Sequence, residues 1–295
     1  MKIRFVTLGC KLNFAESSAI GKVLLSRGHE RASQNEVPDV CVVNTCSVTD
    51  AADHKDRQAI NQLHRKYPNA IIIVTGCYAQ LQPEQISQMP GVDYVLGQNE
   101  KYDIPTLVES LEKTTEKIHV SAIREVDEFH GVHSGDDRTR GFIKVQDGCN
   151  YFCTYCTIPY ARGKSRNPYI KEIVKDAEIA IQQGAKELIL TGVNIGDFGK
   201  STGETFFELI QAIDCISGDF RVRISSCEPN LLTDEIIDFV AQSNHFAPHF
   251  HIPLQSGSNE VLAIMKRRYT RELFEERVKH IKKVMPHAFI GVDCM

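Results

Sequence analysis

Apolar and polar positions divide this chain into two kinds of segment. Short continuous apolar runs occur at residues 3–8, 40–44, 70–75 and 92–96, and longer stretches between them carry helical spacing. In residues 14–27, Ile20, Val23 and Leu24 fall near one face and Gly28 is a stop signal. Residues 50–67 are polar and helical and close at Pro68, and a further helix is expected over 104–111. Continuous apolar runs alternating with helices predict parallel strands covered on both faces. Residues 1–112 therefore read as a compact, open, parallel α/β domain.

Residues 113–140 break the pattern with His, Asp, Glu, Gly and Ser, and read as a linker. From 141 a new series begins. A strand, FIKVQ, leads into a loop, and a helix is expected to start at Asn167-Pro168 with Pro168 in its first position. Ile170, Ile173, Val174, Ala177 and Ile181 form its buried stripe, and Gly184 ends it. Strands LILTG, VRISS, HFHIPL and FIGVD follow, separated by helices over 206–216, 234–243, 260–265 and 271–284. The repeated βα unit predicts a parallel barrel or half-barrel over 141–295. The chain stops at the end of its fifth strand with no covering helix, so a C-terminal truncation is expected.

Composition adds limits. Apolar residues at 42% and charged residues at 24% describe a soluble globular chain. No apolar run is long enough to span a bilayer, and the first residues already form a strand pattern, with no secretory signal. A cytoplasmic, monomeric protein is expected. A net charge of −4 excludes a generic polyanion binder, so any nucleic acid must meet local basic patches. Arg162, Lys164 and Arg166 form one such run, and Lys266, Arg267, Arg268 and Arg271 another. A solvated face is the plain alternative, above all for the second.

Ten cysteines in a reducing compartment point to ligation rather than disulfides. Cys149, Cys153 and Cys156 share one polar loop, GCNYFCTYC, with spacing C-x3-C-x2-C. Cys10, Cys46 and Cys77 each follow an apolar run, about thirty residues apart. In a parallel sheet the carboxyl ends of strands share one edge, where ligands bind, so these three should converge. Each set has three thiols, and a cubane iron–sulfur cluster takes four ligands, which leaves one position open for a small molecule. Zinc remains the rival in the loop, and burial as small apolar residues is the rival at the strand ends. Cys41 and Cys215 read as packing residues, and Cys227 and Cys294 receive no role. His249 and His251 alternate on a strand without a third ligand, so they too read as packing.

The residues also carry a resemblance. CNYFCTYC resembles the cluster loop of radical S-adenosylmethionine enzymes, including Tyr155 before the last cysteine. TLGCKLN, VNTCSVT and VTGCYAQ resemble the three N-terminal cysteine motifs of the methylthiotransferases, and IPYARGKSR, TGVNIGDFG, RISSCEP and HIPLQSGSNEVLAIMKRRY follow in that family's order. The combination is most similar to the subgroup that modifies N6-threonylcarbamoyladenosine. The resemblance implies a partial radical S-adenosylmethionine (β/α) barrel and two 4Fe-4S clusters, one on Cys149, Cys153 and Cys156 and one on Cys10, Cys46 and Cys77.

The implied reaction is methylthiolation of C2 of N6-threonylcarbamoyladenosine at position 37 of tRNA. S-adenosylmethionine, bound at the open iron of the first cluster and cleaved with an electron from a reductant such as flavodoxin, would give the 5′-deoxyadenosyl radical that takes hydrogen from C2. The second cluster would present sulfur from a sulfur donor. Isopentenyladenosine in tRNA is the alternative substrate, and a non-catalytic zinc- or cluster-binding RNA-interaction protein or a two-cluster electron carrier are the alternative classes. Members of the family continue into a C-terminal RNA-binding domain, so this chain is expected to bind tRNA poorly.

Further candidates are positional. Tyr155 is expected to pack on the cofactor adenine. Thr191, Gly192 and Asn194 end the second strand of the barrel series, where a loop could hold the methionine amino group. Ser225, Glu228 and Gln255 follow the next two strands, where barrel sites form. Turn and capping chemistry is the plain alternative for each.

Overall fold

The computed structural model describes residues 1–111, 116–134 and 140–295. They form two compact units, Met1–Glu128 with Tyr160–Gly163, and Phe129–Pro159 with Lys164–Met295.

The first unit is built on a parallel sheet. Its strands are β1 (Lys2–Thr7), β2 (Glu30–Arg31), β3 (Val40–Thr45), β4 (Ile71–Gly76), β5 (Val92–Leu96) and β6 (Ile118–His119), and their spatial order is β2-β1-β3-β4-β5-β6. Between them run α1 (Lys11–Ser26), α2 (Asp50–Lys66), α3 (Cys77–Leu81), α4 (Pro83–Ser87) and α5 (Ile104–Glu109). Period-two alternation sends Val40 and Val42 to one face, against Ile20 and Leu24 of α1 and Ile104 and Val108 of α5. Cys41 and Val43 go to the other face, against Ile60 and Leu63 of α2. Both faces are covered, which is why the strands read as unbroken apolar runs. Thr49 caps α2 by accepting from the Ala52 N–H at 3.1 Å.

The second unit holds β7 (His133–Ser134), β8 (Arg140–Lys144), β9 (Glu187–Thr191), β10 (Arg221–Ile224), β11 (His249–His251) and β12 (Phe289–Gly291). β8, β9 and β10 are parallel neighbours, β7 adds antiparallel to β8, and β11 pairs parallel with β12. Single parallel bridges, Val222 to Phe246 and Ser226 to His251, carry the arc from β10 to β11. After α6 (Ile158–Arg162), whose residues from Tyr160 on belong to the first unit, its helices are α7 (Ile170–Gln182), α8 (Phe206–Asp214), α9 (Asp234–Gln242), α10 (Asn259–Ile264) and α11 (Arg271–Val284). Ile173 and Ala177 of α7, Leu209 and Ile213 of α8, and Ile236 and Val240 of α9 pack with Leu188, Leu190, Val222 and Ile224 in one core. The architecture is an open parallel α/β sheet followed by a partial β/α barrel.

Several expectations need correction. The stretch read as linker contributes β6 to the first sheet and β7 to the second; two-residue strands are too short to leave a periodic signal. Residues 113–115 and 135–139 of that stretch, like residue 112 before it, lie outside the described residues. Pro168 stands before α7, whose N-cap is Tyr169. Cys215 caps the C-terminal end of α8 and is exposed, so it is not a packing residue. The packing reading holds for His249, which stacks on Phe289 at 5.2 Å, whereas His251 pairs with Asp293 at 3.1 Å. Among the described residues, no helix is long and apolar enough to cross a membrane.

Candidate functional site

In the first unit the three strand-end cysteines follow adjacent strands. Cys10 is the N-cap residue of α1, Cys46 comes directly after β3, and Cys77 opens α3 directly after β4. The order β1-β3-β4 sets them side by side. They are close enough that charge on Cys10 and Cys77 raises the Cys46 pKa, although burial is the main reason it stands at about 11. Burial also raises Cys77, opposed by the positive charges of Arg162 and Lys101. Gly9 has φ of +96°, and a Cβ there would lie 2.5 Å from Cys46 Cβ and 2.8 Å from its Sγ. Gly76, at φ +101°, would place a Cβ 2.3 Å from the Thr45 carbonyl oxygen. Only glycine lets the backbone turn this tightly beside the thiols.

A buried polar network surrounds them. Asn13 donates to the Leu8 and Thr45 carbonyls at 2.9 and 2.8 Å, and its Oδ1 accepts from Arg162 Nη2 at 2.7 Å and from the Cys10 thiol at 3.6 Å. Gln98 Nε2 donates to Cys77 Sγ at 3.6 Å. Glu16 takes Lys101 at 2.7 Å and Arg162 at 3.0 Å. Two cations, Lys101 and Arg162, thus stand close enough to act on the Cys77 thiol. Asp56 accepts from the Cys46 N–H at 2.9 Å, and burial pushes its pKa up to about 7. Arg162 was grouped in the sequence with a possible phosphate-binding run. It is instead fully buried, as the partner of Glu16.

In the second unit the loop after β8 gathers Cys149, Cys153 and Cys156. Cys149 and Cys153 are buried with Tyr151, and Cys156, Ile158, Val193 and Leu231 pack against them. Burial pushes Cys149 up to about 11 and raises Cys156, and the neighbouring thiols add to both shifts. Phe152 adopts a left-handed φ of +51° between the cysteines. Arg267 Nη1 donates to Cys153 Sγ at 3.2 Å and to the Tyr155 hydroxyl at 3.3 Å, and Nη2 donates to Glu228. Arg267 is therefore no solvated residue of a basic face. Nor is Arg166, which pairs with Asp147 at 3.2 Å, whereas Lys164 is exposed.

The remaining candidates are distributed as follows. Thr191 ends β9, buried. Gly192 leaves no room for a Cβ, which would come 2.8 Å from Ile195 Cγ2 and 3.0 Å from the Gln146 carbonyl. Gln146 Oε1 accepts from the Val193 and Asn194 N–H groups at 3.0 and 2.9 Å, so this side chain holds the loop containing Asn194. Ser225 is buried just past β10, and its Oγ makes no hydrogen bond among the described residues. Glu228 is committed to Arg267. Gln255 adopts φ of +63°, and its backbone pairs with Asp293 and Met295. Sequence reasoning missed Asn13, Glu16, Lys101, Gln146 and Asp197. Asp197, fully buried, pairs with Lys200 and acts on Cys149.

Both sets fit a thiolate-bound anionic cluster. Each is a three-thiol set with a cationic N–H donor or buried cations beside it, which would offset the charge of thiolates bound to iron. Among the described residues no three His, Cys, Asp or Glu are grouped to hold a single metal ion. A cubane does not need that grouping, because each thiolate meets a separate iron.

The chain has counterparts in fold among solved structures. Its fold is like that of the radical S-adenosylmethionine methyltransferase TsrM from Kitasatospora setae, with TM-score 0.69 at 16% identity over 99% of this chain and 67% of that one. It is also like the cobalamin-dependent radical enzyme OxsB, with TM-score 0.66 at 13% identity over 99% and 48%. A family model described as the radical SAM superfamily matches residues 143–294, and one described as uncharacterized protein family UPF0004 matches residues 2–97. Over 99% of its length the chain is 40% identical to the threonylcarbamoyladenosine tRNA methylthiotransferase MtaB of Bacillus subtilis, and 39% identical to that of Aquifex aeolicus. It is 33% identical to the tRNA-2-methylthio-N(6)-dimethylallyladenosine synthase of Fusobacterium nucleatum, again over 99% of this chain. The chain belongs to the radical SAM superfamily, in the family of these methylthiotransferases. It spans 66%, 72% and 68% of those three relatives.

Proposed function

We propose that the chain carries the catalytic portion of a methylthiotransferase acting on C2 of N6-threonylcarbamoyladenosine at position 37 of tRNA. In this reading residues 1–112 hold one 4Fe-4S cluster on Cys10, Cys46 and Cys77, residues 113–140 connect while adding β6 to one sheet and β7 to the other, and 141–295 hold another cluster on Cys149, Cys153 and Cys156. When bound, the clusters and S-adenosylmethionine would supply the electron transfer, the radical and the sulfur. The chain's own residues hold and shield that chemistry. Gly9 and Gly76 let the backbone turn beside the thiols, and Lys101 and Arg162 offset the thiolate charge. Arg267 fixes Cys153, and Gln146 holds the loop with Asn194 near the carboxyl end of β9. Thr191, Gly192 and Ser225 line strand ends suited to the cofactor's polar groups, Tyr155 offers a ring for its adenine, and Glu228 and Gln255 hold neighbouring loops.

One observation carries the reading: two three-thiol sets, one at the carboxyl ends of three adjacent parallel strands and one within the loop after β8. The higher identity to relatives named MtaB supports the threonylcarbamoyl substrate over the dimethylallyl one. A low-potential donor such as flavodoxin and a sulfur donor complete the expected partners, in the cytoplasm.

The test has two stages. Anaerobic reconstitution should yield about eight iron per chain, as two cubanes require; zinc without colour would reject it. Mass spectrometry of tRNA from a strain lacking the gene should then show N6-threonylcarbamoyladenosine without its methylthio group. Loss of the group from isopentenyladenosine instead would move the substrate to the other branch.

A further inference from the structure

We propose that Arg267 is a positioning residue for the C-x3-C-x2-C loop and that its donation to Cys153 raises the reduction potential of the cluster there. The inference rests on the reading that Cys149, Cys153 and Cys156 hold an iron–sulfur cluster.

The sequence MKRRY invites a phosphate-binding or solvated reading. The structure gives Arg267 a different setting. Its side chain is 5% exposed, and its guanidinium is divided among four partners. Nη1 points at Cys153 Sγ and the Tyr155 hydroxyl, Nη2 at Glu228, and Nε at the Tyr269 hydroxyl at 3.1 Å. Tyr269 in turn donates to the Pro253 carbonyl at 2.7 Å, which fixes the plane of the fork.

The turn around Arg267 grips the same loop at other points. Thr154 N–H donates to the Met265 carbonyl at 3.3 Å, and Arg268 Nη2 donates to the Asn150 carbonyl at 2.9 Å. The Arg268 guanidinium lies 3.9 Å from the centre of the Tyr151 ring. Phe152 and Lys266, one on each side of this contact, both hold left-handed backbones, at φ +51° and +57°. Such strain persists where surrounding contacts enforce it, commonly at functional sites.

The electrostatic consequence has a definite sign. Reduction adds one electron from a low-potential donor and makes the cluster one unit more negative. A cationic N–H donor on a ligand sulfur stabilises that reduced form. Glu228 places a negative charge beside the same guanidinium and acts in the opposite sense.

The test uses the full chain, reconstituted anaerobically, and a redox titration with chemical reductants. The signal followed is the electron paramagnetic resonance that added S-adenosylmethionine perturbs. Arg267→Met should shift the midpoint negative, so that the reduced-to-oxidised ratio at the wild-type midpoint falls about tenfold, which is about 59 mV for a one-electron couple. Arg267→Lys should shift it less, in the same direction, and Glu228→Gln should shift it positive. Wild-type midpoints in both Arg267→Met and Glu228→Gln, or shifts of one sign in both, overturn the proposal. If Arg267→Met takes up no cluster, Glu228→Gln decides alone, and a negative or absent shift overturns it. A wild-type chain that takes up no iron overturns the cluster reading itself, a result distinct from unshifted midpoints.

Discussion

Arg162 and Glu16, separated by 146 positions in sequence, meet as a buried ion pair at 3.0 Å in which neither side chain is more than 1% exposed. Glu16 also holds Lys101, so one carboxylate serves two buried cations. Burying charges costs several kcal/mol each unless they are paired, and removing one partner leaves the rest uncompensated. Glu16→Ala should therefore cost about 3–5 kcal/mol of stability in the first unit, read as a lower urea midpoint. The double variant Glu16→Ala, Lys101→Met should recover part of that loss because it removes one of the two cations that Glu16 serves. A loss below about 1 kcal/mol in the single variant would show that the pair is solvated in solution.

Gly9 offers a test that separates the two cysteine sets. A Cβ at this left-handed position would press on both Cβ and Sγ of Cys46. Gly9→Ala should strain the backbone by about 1–2 kcal/mol and displace the thiol. On the two-cluster reading, reconstituted iron should drop from about eight to about four per chain, with the S-adenosylmethionine-responsive signal retained. Full iron content would show that the strand-end set tolerates the shift.

The chain order of strands and helices was legible because apolar runs such as those ending at Cys46 and Cys77 are buried on both faces. Such burial leaves an unbroken signal in the sequence. What was not legible is long-range and charged. Arg162, Lys101, Glu16 and Arg267 look like surface residues in a linear reading, since such side chains are seldom fully buried unless paired. Their ion-pair partners lie tens of residues away or more, and no local spacing announces them. Gln146 was hidden for another reason: it sits just past β8 and reads as the polar end of a strand, while its amide links β8 to the loop after β9. Short edge strands such as β6 and β7 were lost because two residues carry no period.

A pH effect is expected at the edge of the first sheet. The hydrogen bond from Lys2, aided by the Ser33 N–H, holds the Glu36 carboxyl at a pKa of about 2, below its usual 4.5. A carboxylate depressed on folding contributes stability above its unfolded pKa, and that contribution is lost as pH falls towards 2. Wild type should therefore melt above Glu36→Gln at pH 6, and the gap should close between about pH 4.5 and pH 2. An nuclear magnetic resonance titration placing Glu36 near the ordinary carboxylate value would remove the basis for this expectation.

Gln146 supplies the most direct test of how the second unit shapes its cofactor loop. Its Nε2 donates to the Asp147 and Gly148 carbonyls at 2.9 and 2.6 Å and to Ser165 Oγ at 3.0 Å, while Oε1 accepts both loop N–H groups. Gln146→Met keeps the length and removes every one of these bonds. Each buried group left unpaired costs about 1–3 kcal/mol, and residues 192–194 have an alternative, which is to move. Amide exchange at Val193 and Asn194 should accelerate, and S-adenosylmethionine should bind at least about tenfold more weakly, or about 1.4 kcal/mol, with the iron content unchanged. Faster exchange with unaltered affinity would separate the loop from the cofactor. Unaltered exchange would show that Gln146 does not hold the loop at all.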